Sequence, residues 1–269
     1  MGLVLSALLS TMCVFIGMLV CVEIGRRIGA RRLARDPEGL AKGAGAAEAA
    51  VFGLLGLLIA FTFSGAASRF EDRRHLVTEE ANAIGTAYLR VDLLPSDTRP
   101  ELRRLLRRYT QIRASTYLKE DQAASSRFLA GENQGAAGRR LAEAATLQQD
   151  IWKSAMNALR RPETSPQAAV ILVPALNEMI DITTTRVTAT QNHPPLVVFL
   201  LLVGLGLVGS LLVGYSTSTN AGRDWFHSMV FAGILALTMY VIVDLEYPRL
   251  GLIQVDADHV LVELRRSMQ

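Results

Sequence analysis

Glu71, His75 and Glu79 recur at intervals of four residues in "RFEDRRHLVTEE". On a helix that spacing lines all three along one face. Two carboxylates and an imidazole could help hold a divalent cation if another element supplied further ligands. No complete ligand set accompanies them, and Arg73 and Arg74 offer the same acids ordinary helical ion pairs. The expectation is a solvated face and no metal. Gly204-Leu-Gly206-Leu-Val-Gly209 spells GxGxxG. A dinucleotide site needs that motif between a strand and a helix, whereas here it lies inside the uncharged run from Pro194 to Gly222. Small residues that let membrane helices approach explain it better. No GxSxG elbow, HExxH, P-loop or Cys–His pair in a recognisable context is present. The expected protein is no enzyme and carries no cofactor.

A third group lies in "GLLGLLIAFTFSGAASRFEDRR". Thr62 and Ser64, with Gly53 and Gly56, could border a polar path if several copies surrounded an axis. The same small residues could instead pack helices together. Phe63 lies between the hydroxyls, and Arg69, Arg73 and Arg74 follow at once, where they would concentrate anions at a mouth. Gly56, Thr62, Phe63, Ser64, Arg69, Arg73 and Arg74 are therefore the candidate pore or mouth residues. Glu23, Asp244 and Glu246 stand at the ends of apolar runs, where acids can reach water, and read as anchors.

The elements that must position these residues follow from hydropathy. Half of the 269 residues are hydrophobic and the mean hydropathy is +0.27, an excess that calls for lipid as a second solvent. Met1–Val22, Ala49–Ser68, Pro194–Gly222 and Trp225–Val243 carry no charged side chain. Each is near or above the roughly 20 residues a spanning helix needs, and in lipid each must be helical to satisfy its own backbone. Transmembrane helices are expected over 1–24, 48–68, 194–217 and 225–245, with a basic loop at 25–47 and a tail at 246–269. The first run lacks a basic leader and its charges follow it, which reads as an uncleaved anchor and not a signal peptide. Cys13 and Cys21 lie about 12 Å apart along that helix, too far to bridge.

The block 69–193 holds 18 Lys+Arg and 15 Asp+Glu. Such a mixed surface argues against a nucleic-acid partner, which would favour basic residues clustered on one face. Positions 56, 63, 70, 77, 84 and 91 are Gly, Phe, Phe, Val, Ile and Val. This seven-residue seam crosses the membrane boundary without a phase break and predicts one helix of roughly 40 residues, part span and part stalk. Pro95 ends it, and Thr98-x-x-Glu101 reads as a capping box for the next helix. Leu102, Leu105, Leu106, Tyr109 and Ile112 then form one apolar stripe. "KEDQAASSRFLAGENQGAAG" reads as a loop or broken helix, Leu141 to Leu159 as a third polar helix, and Pro166 to Gln191 as a fourth with a kink at Pro174. Nothing alternates with period two. The class is an all-α integral membrane protein.

Three stretches, "GLLGLLIAFTFSGAASRFEDRR", "EEANAIGTAYLRVDLLP" and "VDLEYPRLGLIQVD", resemble a bacterial membrane family of unknown function, in places labelled bestrophin-like. The resemblance covers nearly the whole chain in layout and implies four spans in a bacterial inner membrane. The bestrophin label further implies a homo-oligomeric anion channel with a pore on a fivefold axis. The chain departs from that pattern at Phe61 and Phe63, which are two residues apart where bestrophin aromatics stack about one turn apart. The acidic calcium clasp of the animal proteins also has no counterpart in the sequence. Arg26, Arg27, Arg31, Arg32, Arg35 and Lys42 crowd the short first loop, a cytoplasmic signal that places the polar block on the other side. Two functions remain open: an oligomeric anion channel, or a non-conducting scaffold or sensor whose stalk couples a helical domain to the bilayer.

Overall fold

The computed structural model describes residues 2–35, 39–127, 136–219, 225–247, 252–253 and 258–268. These residues form eight α-helices and two short 3-10 turns, with no strand among them. They divide into two compact units, Met1–Ser68 with His193–Ile253, and Arg69–Asn192 with Gln254–Gln269.

The first unit contains α1 (Gly2–Leu33), the first part of α2 (Gly39–Arg90), α6 (Leu196–Ser216) and α7 (Trp225–Glu246). Four helical stretches of the chain are long and apolar enough to cross a membrane. The protein is thus an all-α, multi-pass membrane protein. Leu9, Phe61, Leu196 and Phe226 lie largely outside the unit, since lipid tails are as apolar as the side chains and burial gains little. Close packing does the holding instead. A Cβ on Gly25 would come 2.0 Å from the Leu211 carbonyl oxygen, and one on Gly214 would come 1.9 Å from that of Val22. Only hydrogen at these positions lets α1 and α6 approach so closely. Within the GxGxxG stretch, Gly206 faces the methyl groups of Met18 and Met239 and Gly209 faces Phe52, an interhelical packing role.

The second unit is a helical bundle of the rest of α2 with α3 (Arg99–Arg127), α4 (Ala136–Leu159), α5 (Pro166–Gln191) and α8 (Asp258–Ser267). The predicted stripe on α3 is buried throughout, from Leu102 to Ile112. α4 contributes Ala144, Leu147, Ile151 and Ala155, and α5 contributes Leu172, Leu176 and Met179. α5 continues across Pro174 as one helix. The stretch expected to be a loop or broken helix is helical to Arg127, and 128–135 lie outside the described residues. Thr98 donates to the Pro95 carbonyl and Glu101 accepts from Arg104, in place of the reciprocal capping box. α8 and the residue after it add Leu261 and Met268 to the core, and Tyr88 donates to the Met268 carbonyl at 2.9 Å.

Candidate functional site

α2 runs unbroken for 52 residues, longer than the seam predicts because its helical start lies before the apolar run. Proline is absent and its glycines do not interrupt it. The seam itself behaves differently in the two units. Val77, Ile84 and Val91 are buried, while Gly56 and Phe63 are exposed on the first unit. A seven-residue repeat fixes a face, and what covers that face depends on the neighbours available.

Gly53, Gly56, Ala60 and Ser64 are all exposed, and their spacing sets them on one side of α2. Nothing lies within 4 Å of a Cβ built on Gly53 or Gly56. Phe63 borders this row and is 43% exposed. Thr62 is half-buried and its hydroxyl donates to the Leu58 carbonyl at 2.7 Å. It lies about 200° around the helix from Ser64, so the fold does not bring the two hydroxyls to one face. Phe61 and Phe63 diverge for the same reason.

The three arginines after the apolar run have separate roles. Arg73 is buried, and its guanidinium donates to the carbonyls of Ala189 and Asn192 at 3.2 Å each. It braces the end of α5. Arg74 is exposed and pairs with Glu71 at 2.9 Å. Arg69 is half-buried and is likewise not a free cation. His75 pairs with Glu79 at 3.0 Å, and no three metal-ligating side chains gather among the described residues. The contacts along the Glu71-His75-Glu79 row are thus the Arg74–Glu71 and His75–Glu79 pairs, three and four residues apart on the helix.

Several buried polar groups escaped the sequence reading. Glu80, fully buried, takes Arg113 on one carboxylate oxygen and Arg186 on the other. Beside this cluster, the Gln148 amide donates to the Tyr109 hydroxyl at 3.0 Å and to the Thr183 hydroxyl at 2.9 Å. Burial raises the Tyr109 phenol above its ordinary range. One signal was available: Arg73, Glu80, Ala87 and Leu94 form a second seven-residue row, whose charged members fall on the core side.

The acids at the membrane ends also divide. Glu23 accepts from Arg26 and Arg27 at the surface, as an anchor would. Glu246 is buried against His193 at 3.1 Å, and His193 stacks on Tyr247 at 4.4 Å. Asp244, also buried, accepts from the backbone N–H groups of Leu252 and Ile253 at 2.9 and 3.1 Å. These two acids do not reach water as their terminal positions suggest; they fasten the segments next to α7.

A family model described as a bestrophin-like domain matches residues 12–260. The fold is similar to that of a bacterial bestrophin homologue from Klebsiella pneumoniae, solved as several variants. One has a TM-score of 0.71 at 13% identity, covering 96% of this chain and 97% of that one. Another has a TM-score of 0.69 at 15% identity, covering 94% and 98%. A crystal structure described as a membrane protein matches with a TM-score of 0.62 at 14% identity, covering 94% and 97%. A search of the curated proteins finds no match.

Proposed function

The chain belongs to the bestrophin-like family, and from that premise we propose that it is an oligomeric anion channel whose pore is walled by α2 from each subunit. The observation that carries this reading is the outward row Gly53, Gly56, Ala60 and Ser64 within the apolar part of α2. A face that met only lipid would have no use for open glycines or a hydroxyl. Small residues there allow copies to approach one another closely, and Ser64 would supply polarity to a path between them. Arg69 and Arg74 lie at the end of the run and would raise the local anion concentration. Arg73, tied to two carbonyls, would set the position of that end.

The basic loop after α1 favours the polar unit on the non-cytoplasmic side of a bacterial inner membrane. Labelling of a single cysteine at exposed Asp97 in intact cells reads this directly: labelling only after lysis would reverse the assignment.

A second reading, the non-conducting scaffold, is favoured by one surface. Leu89 and Val170 are 70% and 75% exposed in the polar unit, and Arg90 donating to the Ile171 carbonyl ties their two segments together. The deciding experiment is mass determination in detergent followed by chloride and sodium flux from liposomes. A closed ring, with chloride flux that Ser64→Leu blocks and Arg74→Glu shifts toward cations, supports the channel. A monomer or dimer without flux supports the scaffold.

A further inference from the structure

The end of α1 carries more positive charge than its own surroundings answer. From residue 24 to residue 47 the sequence holds six basic side chains and two acidic ones. Arg26 and Arg27 share Glu23. Arg31 and Arg32 stand in the last turn of α1, and Arg35 follows in a turn closed by its N–H on the Arg32 carbonyl at 2.9 Å. All three side chains are exposed, and none forms an ion pair or hydrogen bond among the described residues. Cations suit the carbonyl end of a helix, but Arg27, Arg31 and Arg35 recur every four residues, a spacing that sets like charges against one another.

The same side of α1 is apolar further back. Val20, Ile24 and Ile28 are exposed, and their spacing places them in line with Arg31. The turn Thr217–Thr219, which follows α6, lies against this end of α1, since a Cβ on Gly29 would come 2.3 Å from the Ser218 Oγ. Trp225 and Phe226 begin α7 shortly after that turn and are exposed. Aromatic rings in such positions favour the headgroup level of a bilayer. We propose that the end of α1 binds an acidic phospholipid, with Arg31, Arg32 and Arg35 around its phosphate and an acyl chain along Val20, Ile24 and Ile28. Guanidinium forks match phosphate oxygens, and net positive charge selects an anionic headgroup over a zwitterionic one. The apolar strip selects lipid over a soluble anion, which would gain nothing from it. The site lies within the first unit and does not depend on whether the protein conducts.

The experiment is thermal unfolding of the full chain in detergent micelles doped with increasing phosphatidylglycerol, or with phosphatidylcholine of the same acyl chains. A ligand of the folded state alone stabilises it, so phosphatidylglycerol should raise the melting temperature by about 5 °C or more at saturation. Phosphatidylcholine should raise it clearly less. Each arginine near an anionic surface contributes about five-fold in affinity, so combining Arg31→Gln, Arg32→Gln and Arg35→Gln should move the phosphatidylglycerol midpoint upward about 100-fold. Arg104→Gln with Arg108→Gln, at exposed positions of α3, should leave that midpoint in place. If the triple variant does not fold, Arg31→Gln and Arg35→Gln carry the test singly, each expected to move the midpoint about five-fold. Equal stabilisation by the two lipids would overturn the site. So would an unmoved midpoint in the arginine variants of α1, or an equal shift in the α3 variant. Inorganic phosphate that matched phosphatidylglycerol would assign the arginines to a soluble anion and overturn the lipid.

Discussion

Replacing Glu80 with glutamine tests the polar unit at its most charged interior point. Glu80 and Arg113 are fully buried and Arg186 is 8% exposed, and each carboxylate oxygen of Glu80 holds one guanidinium. Glutamine keeps the volume but removes the carboxylate charge paired with two buried guanidiniums, and its amide N–H would face an arginine N–H. Breaking a buried ion pair from one side costs about 3–5 kcal/mol. For a domain of this size 1 kcal/mol lowers melting by about 2–4 °C, so the expected drop is about 6–20 °C. Circular dichroism at 222 nm on heating in detergent reads it. The combined replacement of Glu80, Arg113 and Arg186 by methionine should recover most of the loss, because exchanging a whole buried ionic cluster for apolar side chains is often close to neutral. Glu80→Gln melting within about 2 °C of the parent would refute the account, since water would then have to reach the arginines.

Gly214→Ala should sharply reduce folded protein after detergent extraction, because its Cβ would sit 1.9 Å from the Val22 carbonyl oxygen; Gly204→Ala, with nothing within 4 Å, should leave yield unchanged. Val77→Asp should abolish most folded yield, since Val77 is 3% exposed in the core and an unpaired charge there has no compensation. Alkaline titration followed at 295 nm should show late-ionising tyrosine, and Tyr109→Phe should reduce the amplitude of that late step by one phenol. Because the folded phenol titrates above its unfolded value, its contribution is complete below about pH 10 and fades as pH rises through the folded pKa. Melting temperature should therefore fall above about pH 10, less steeply in Tyr109→Phe.

The one-dimensional physics of the chain was legible from its residues alone. Uncharged runs long enough to span lipid must be helical there, so the four spans could be read directly. Val77, Ile84 and Val91 announced the buried side of the second helix through their period, and Leu102 to Ile112 did the same for α3. Partnership across the chain was not legible. Arg73 reads as a cation at a mouth until α5 brings carbonyls to it, and nothing local distinguishes exposed Glu79 from buried Glu80 except the face on which each falls. Asp244 looked like an anchor by its place at the end of a span. Only the folded chain brings the backbone N–H groups of Leu252 and Ile253 to it. Period and hydropathy are properties of neighbours in sequence, whereas burial and pairing depend on groups from 8 to 180 residues apart that meet only in the folded protein.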